Sequence, residues 1–374
     1  MFHSYFLFVL LISALRNTAA NPVRDLKTCR EYTLPVDVTS INYIWGLPQL
    51  HTNYDAATFN SKLGRWDANV TLNPISGGAQ VSASYQISGT FCAPVRGGNG
   101  IVLVATHGFG FDRSYWNPEI QPEKYSFVDH AISKGYSIFY YDRLGIGKSS
   151  SISGYVAQVS VQVAVLKQIV TQVKAGKLCA TTKKVVLVGH SFGSVVSNVL
   201  LTSSPQLVDG VVLTGIGYDV PDTAVAFESW QPRLARLQNP RKWGSLDGGY
   251  MTWVDIWSNA MTFFKAPFYD TKVVEYAEAN KQPFGLLEVV TLQITDRHSP
   301  NYTGPALIMS GEFDLVFCNG YCPPILNNKV KETFPVSKGL EVYSQPGSGH
   351  AINLSLNATG SFEVVTGFLK RHGL

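Results

Sequence analysis

The chain has 374 residues, of which 45% are hydrophobic and 15% charged, with a formal net charge of +4. That apolar content is ample for one large core plus an insertion. The charge is too small and too scattered to argue for a nucleic-acid partner.

The chain opens with YFLFVLLISAL, Tyr5 to Leu15, an apolar run of signal-peptide length and short for a bilayer span. RNTAA follows, and its Thr18 and Ala20 suit the small-residue cleavage rule, although no Lys or Arg precedes the run. Residues 1–20 are therefore read as a signal peptide, and the remainder as a secreted chain with no membrane partner after cleavage. The terminal RHGL is neither an ER-retention nor a peroxisomal signal. Four N-x-[S/T] sequons, at Asn69, Asn301, Asn353 and Asn357, are candidate glycosylation sites. Five cysteines in an oxidising compartment should mostly pair. Cys318 and Cys322 are close enough to close a small loop. Cys29 and Cys92 would then tie the mature N-terminus to an early strand, with Cys179 left as a buried free thiol. A metal on the CxxxC pair is disfavoured, because no His/Cys cluster accompanies it.

Residues 21–94 read as extended segments joining the sheet. VSASYQISGTFCAPV alternates at Val81, Ala83, Tyr85 and Ile87, as antiparallel strands do. Residues 95–217 then repeat strand and helix. GIVLVATHG is a buried strand ending in glycine, and YSFVDHAISKG is a short helix closed by Gly135. YSIFYYDRLGIGKSS is a strand leaving into a loop, and VQVAVLKQIVTQVKAG is an amphipathic helix stopped at Gly176. In KKVVLVGHSFGSVVSNVLL the β-branched run stops at Gly189 and resumes at helical spacing after Ser191. Such a corner needs small residues on both sides, and Gly189 and Gly193 supply them. Ser191 between them stands at the tip of a strand and the start of a helix, where helix N–H groups point. GVVLTGIG is the next strand. This repetition predicts a mostly parallel sheet with helices on both faces. The rhythm breaks over 218–304, which holds Trp230, Trp243, Trp253 and Trp257 and reads as an inserted, mainly helical lid. Over 305–374 the sheet resumes with PALIMSGEFD and GLEVYSQPGSGH, and FEVVTGFLKRHG is a closing helix.

A serine hydroxyl needs a base to act as a nucleophile, and the base needs an orienting acid. His350 follows the last strand directly, at the carboxyl edge of the sheet where sites of open α/β sheets form. Asp314 lies just past the end of ALIMSGEFD, with Asp219 as its rival and Glu312 as a surface or supporting residue. The order Ser191, Asp314, His350 is that of α/β-hydrolases. A tetrahedral oxyanion needs two preorganised donors. The Phe192 amide, next after the serine, and the Phe109 amide, flanked by glycines in HGFG, are the candidates. DRLGIGKSS imitates a phosphate loop, but Asp142 stands where its first glycine should be. Asp142 and Arg143 more simply brace the loop under the site.

HGFG, YDRLGIGKSS, GHSFGS, GEFD and GSGH together resemble a serine-type α/β-hydrolase from about residue 95 to 374. The wording is similar to a set of secreted fungal α/β-hydrolases of mostly unassigned substrate. The resemblance implies the triad and oxyanion hole just named, without implying a substrate. A serine nucleophile disfavours epoxide-hydrolase and dehalogenase chemistry within that fold. The expected activity is a secreted carboxylic ester hydrolase acting through an acyl-enzyme, with a small-molecule substrate and no metal or organic cofactor. The rivals are a lactonase, amidase, peptidase or lyase on the same residues, a hydrolase of secondary-metabolite biosynthesis, and a non-enzymatic binding protein. Trp230, Trp253 and Trp257 are candidate substrate-binding residues roofing the cleft. With them comes the expectation that activity rises with acyl or alkyl bulk and falls for charged substrates.

Overall fold

The structure is a computed structural model and describes residues 26–63, 65, 72–179, 181–219 and 224–374. The expected signal peptide and the Asn69 sequon lie outside them. Strands β1 (Lys27–Trp45) and β2 (Ile75–Pro94) form a long antiparallel ribbon. Its register sets Cys29 opposite Cys92, and a disulfide joins them. The connection between the two strands carries a helix, Asn53–Leu63, in a region the sequence suggested to be extended throughout. Only Ala56, Phe59 and Leu63 of that helix are buried, so its apolar stripe is thin. A local polar device starts it: the Asp55 carboxylate accepts from the His51 and Thr52 amides, each at 2.8 Å.

Six more strands complete the main sheet: β3 (Ile101–Thr106), β4 (Ser137–Tyr141), β5 (Lys184–His190), β6 (Gly210–Thr214), and, later in the chain, β10 (Ala306–Gly311) and β11 (Leu340–Gln345). The spatial order is β1-β2-β4-β3-β5-β6-β10-β11. From β4 to β11 every pairing is parallel, while β1–β2 and β2–β4 are antiparallel. All residues of β3, β4, β6 and β10 are buried, and so is β5 beyond Lys184. Burial on both faces explains why these strands read as continuous runs of Val, Ile and Leu. The helix Val159–Lys174 buries Val161, Val165, Leu166, Ile169 and Val173, a stripe at helical spacing. Gly176 ends it with φ +75°, where a side chain would be strained.

The chain runs β3 to β4 on one side and then returns to β5 on the other. The strand order therefore reverses between β3 and β5, and a crevice opens at their carboxyl ends. Between β6 and β10 come the helices Ala224–Trp230, Ile256–Phe263, Thr271–Ala279 and Leu286–Ile294, together with two shorter ones. A small antiparallel sheet also lies here: β7 (Arg233–Leu234), β8 (Tyr250–Thr252) and β9 (Phe284–Gly285). Strands of two or three residues are too short to show alternation, which is why this segment read as mainly helical with no strand singled out. The closing helix is Ala358–Arg371. The second disulfide joins Cys318 to Cys322, so this pair holds each other rather than a metal. Cys179 is unpaired but only half buried, because it sits in the turn before β5 rather than in the core.

Candidate active site

Ser191 follows β5 at the start of the helix Phe192–Ser203, with φ 55° and ψ −121°. This is strained backbone for a residue with a Cβ, and it is held by the surroundings. The Ser191 amide donates to Thr214 O at 2.8 Å, and its carbonyl accepts from Ser194 and Val195. The flanking glycines are required by contact. A Cβ on Gly193 would lie 2.1 Å from Thr106 O, and one on Gly189 2.5 Å from the Ser194 Cα. Gly108, after β3, presses on the serine itself: its Cβ would lie 2.7 Å from that of Ser191.

Three strand ends deliver three side chains to one point. His350 Nε2 lies 2.8 Å from Ser191 Oγ, and His350 Nδ1 lies 2.7 Å from Asp314 Oδ2. Asp314 and His350 are fully buried, while Ser191 keeps 7% of its surface exposed. Asp314 also caps the short helix Leu315–Cys318, with Oδ1 accepting from the Val316 amide at 2.8 Å and the Phe317 amide at 3.0 Å. One oxygen is thus fixed by backbone, which leaves the other for His350 and forces the proton of the neutral imidazole onto Nδ1. The loops after β10 and β11 are knitted together. Glu312 accepts from the Gly347 amide at 3.0 Å, and the Phe313 amide donates to Ser348 O at 2.9 Å. The rival acid Asp219 is instead partly exposed and paired with Lys329 at 2.8 Å.

The Phe109 and Phe192 rings stack, with centroids 4.3 Å apart. Among the described residues neither amide donates a hydrogen bond, so both donors are free at the crevice beside Ser191. The Arg143 guanidinium lies under both rings, at 4.7 Å from Phe192 and 5.6 Å from Phe109. It is fully buried and pairs with Glu288, and its amide donates to His107 Nε2 at 3.1 Å. His107 Nδ1 in turn donates to Gly108 O at 2.9 Å, so both ends of that ring hold the loop after β3. Asp142 braces the next loop, accepting from the Arg113 amide at 3.1 Å and the Lys148 amide at 2.9 Å.

A cavity of about 290 Å³ opens beside Ser191. Its apolar wall includes Phe109, Phe192, Phe227, Trp230, Leu292 and Phe317, and its polar groups besides Ser191 come from Gln293 and Arg297. Of the three candidate tryptophans only Trp230 lines it. Trp253 is fully buried against Phe263, at 4.9 Å between centroids, and donates its indole N–H to Glu278 at 2.7 Å. Trp257 is 75% exposed on the outer side of its helix, which removes it from the site. Phe227, Leu292, Phe317 and Arg297 were not foreseen, because nothing in their local sequence distinguishes them from packing or surface residues. Of the sequons, Asn301 and Asn357 are exposed. Asn353 is 4% exposed and its side-chain Nδ2, where a glycan would be attached, is buried, so a glycan there is incompatible with this packing.

Two buried histidines beside the site have their pKa values pushed well below the ordinary 6.5. Burial is the main cause for both. For His107 the Arg143 charge adds to it, and for His190 the neighbouring His350 and His107 do. The folded state therefore holds both neutral, while the unfolded chain takes up protons below about pH 6.5. Their contribution to stability is complete above that pH and is lost as pH falls below it. Each histidine should supply a slope of up to about 1.4 kcal/mol per pH unit. His130, lowered by burial in the same direction, adds to the effect. Urea midpoints should be level from pH 8 to 7 and fall steadily between pH 6.5 and 5. A midpoint that stays level down to pH 5 would contradict neutral burial of these rings.

The alpha/beta hydrolase family model matches residues 101–358. No curated protein matches the chain in sequence. Among solved structures, a thermophilic esterase from Thermogutta terrifontis is similar at TM-score 0.54 and 17% identity, over 77% of this chain and 95% of that one. A bromoperoxidase from Bacillus anthracis is similar at TM-score 0.52 and 21% identity, over 77% and 96%. The epoxide hydrolase VrEH1 from Vigna radiata is similar at TM-score 0.51 and 15% identity, over 76% and 95%. These likenesses concern the fold. The sheet, the crevice between β3 and β5 and the family match agree: the chain belongs to the alpha/beta hydrolase family.

Proposed function

We propose that this protein is a secreted serine hydrolase that cleaves a carboxylic ester of a moderately apolar small molecule through an acyl-enzyme on Ser191. The observation that carries the reading is the continuous chain Ser191 Oγ, His350 Nε2, His350 Nδ1, Asp314 Oδ2, with links of 2.8 and 2.7 Å. His350 takes the proton of Ser191 as its oxygen attacks the carbonyl carbon. Asp314 holds the ring in the productive tautomer and stabilises the imidazolium that forms. The Phe109 and Phe192 amides receive the oxyanion, and His350 returns its proton to the leaving alcohol. A water then enters, loses a proton to His350 and cleaves the acyl-enzyme, which restores Ser191. A carboxylate at the nucleophile position, as epoxide opening through an ester intermediate needs, is replaced here by a hydroxyl. The two disulfides support an oxidising compartment and hence a secretory route.

The mainly apolar cavity sets the expected chain-length profile. Each further buried methylene contributes on the order of 0.8 kcal/mol, or roughly fourfold in binding. Chromogenic acetate, butyrate and octanoate esters should therefore be cleaved with rising kcat/KM until the cavity is filled. A lactone and an anilide panel run beside them distinguishes ester cleavage from the two related acyl transfers. A flat profile, or a preference for acetate, would remove the cavity from substrate binding. Faster turnover of lactones or anilides would reassign the bond that is cleaved.

A further inference from the structure

Among the described residues, Arg297 is the only charged one in the wall of the cavity that Ser191 opens onto. Its guanidinium is half buried, and burial works against its charge. Among the described residues no carboxylate lies within ion-pair distance of it. The neighbouring Asp296 acts on it through its charge, but its Oδ1 is engaged by His298, accepting from the His298 amide at 2.9 Å and the His298 ring at 2.6 Å. One Arg297 nitrogen, Nη1, donates to Gly217 O at 3.3 Å, and the group lies over the Tyr218 ring at 5.5 Å. Those contacts hold the guanidinium plane in place and leave other donors unspent. The backbone beside it is pinned as well: the Ser299 amide donates to Thr333 O at 2.8 Å, and Thr202 Oγ1 donates to His298 O at 2.8 Å.

A fixed cation with no carboxylate at ion-pair distance among the described residues, in a wall whose described residues are otherwise apolar apart from Ser191 and Gln293, is suited to an anion brought by a ligand. We propose that Arg297 binds a carboxylate carried by the substrate at a distance from its ester, so that the natural substrate is a monoanionic amphiphile: an apolar chain with an ester at one end and a free carboxylate at the other. A carboxylate fits better than a phosphate. It brings a single charge to a single cation, and its two oxygens match the edge of a guanidinium, whereas a phosphate near neutral pH brings more charge than one arginine balances. This inference rests on Ser191 acting on esters, and it revises the expectation that every charged substrate is disfavoured.

The test uses paired p-nitrophenyl esters of succinate, adipate and suberate, each with its second carboxyl free or methyl-capped. For at least one chain length the free acid should be cleaved with kcat/KM about tenfold or more above its capped partner, as a charge-assisted hydrogen bond provides. That preference should shrink as salt is raised. In Arg297→Gln the ratio of free to capped ester should collapse to about one or below, and Arg297→Lys should recover part of it. The ratio is read within each variant, so a general change in folding or in the nucleophile cancels. A second arm needs no turnover: calorimetric binding of monomethyl adipate and dimethyl adipate to the Ser191→Ala protein, with and without Arg297→Gln. Capped esters cleaved as well as free acids at every length, or a preference that survives Arg297→Gln, would overturn the role of Arg297 and leave Ser191 untouched. An Arg297-dependent preference in binding with no ester turnover would instead sustain the anion site and sink the hydrolase reading.

Discussion

Ser191→Ala should remove all labelling by a fluorophosphonate probe and lower ester turnover by on the order of 10⁵- to 10⁶-fold, since the members of such a triad act as a unit. The loss should be this complete because no neighbouring hydroxyl can substitute. Ser194 and Ser197 lie on the same helix but are fully buried, with their hydroxyls committed to Thr214 O at 2.7 Å and Gly193 O at 2.8 Å. The variant should still fold, since among the described residues the Ser191 hydroxyl makes one hydrogen bond, the one to His350. Losing that contact bears on a small site rather than on the core, and the backbone at φ 55° keeps its strain because alanine retains the Cβ. Circular dichroism and the urea midpoint should therefore stay close to the parent. A folded variant labelled as strongly as the parent would refute the assignment of the nucleophile.

The triad candidates were legible because each follows a strand of the parallel sheet, buried for β5 and β10 and half-buried for β11. β5, β10 and β11 carry period and composition that declare a strand, and a strand end in a parallel sheet has a defined place in space. Ser191, Asp314 and His350 could thus be brought together without knowledge of the intervening chain. The same logic placed Phe109 and Phe192 beside that point, and their rings stack there. The cavity wall was not legible in that way. Trp230, Trp253 and Trp257 are equivalent in the sequence, yet one lines the cavity, one fills the core against Phe263 and one faces solvent. Which of these happens depends on the rotation of short helices, and these are set by tertiary contacts such as the Ala351 amide donating to Phe263 O at 2.8 Å. Arg297 was hidden for a further reason. An arginine in TDRHSP reads as a surface residue, and only the surrounding geometry shows that its carboxylate neighbour is used elsewhere.

The buried pair beside the Phe109 and Phe192 rings should be the largest single point of instability. Arg143 and Glu288 are each 1% exposed and lie 145 residues apart in the chain, so the contact closes the core onto the segment between β6 and β10. Glu288 is saturated: beyond Arg143, it accepts from Gln162 at 2.9 Å and from the Gly285 amide at 3.0 Å. Arg143 is less well served, since its Nε and Nη2 have no hydrogen-bond partner among the described residues, and its guanidinium carbon lies over the Phe109 and Phe192 rings. Breaking a buried pair from one side leaves a charge with nothing to offset its desolvation, which typically costs about 3–5 kcal/mol. Glu288→Gln keeps the shape and the acceptor for Gly285 but strands the Arg143 charge, and it should cost that much. Arg143→Met strands the Glu288 carboxylate and should cost a similar amount. The double variant removes both charges together and should lose markedly less than the sum, because a pair replaced by neutral groups of similar volume is often close to neutral. Turnover should separate from stability in that double variant. The Phe109 and Phe192 rings, which also line the cavity, lose the cation that fixes them, so kcat/KM for a neutral ester should fall. Purely additive losses in urea midpoints would mean that the two charges are not coupled in the folded protein. Full turnover in a stable double variant would mean that the rings, and the amides they carry, are positioned by packing alone.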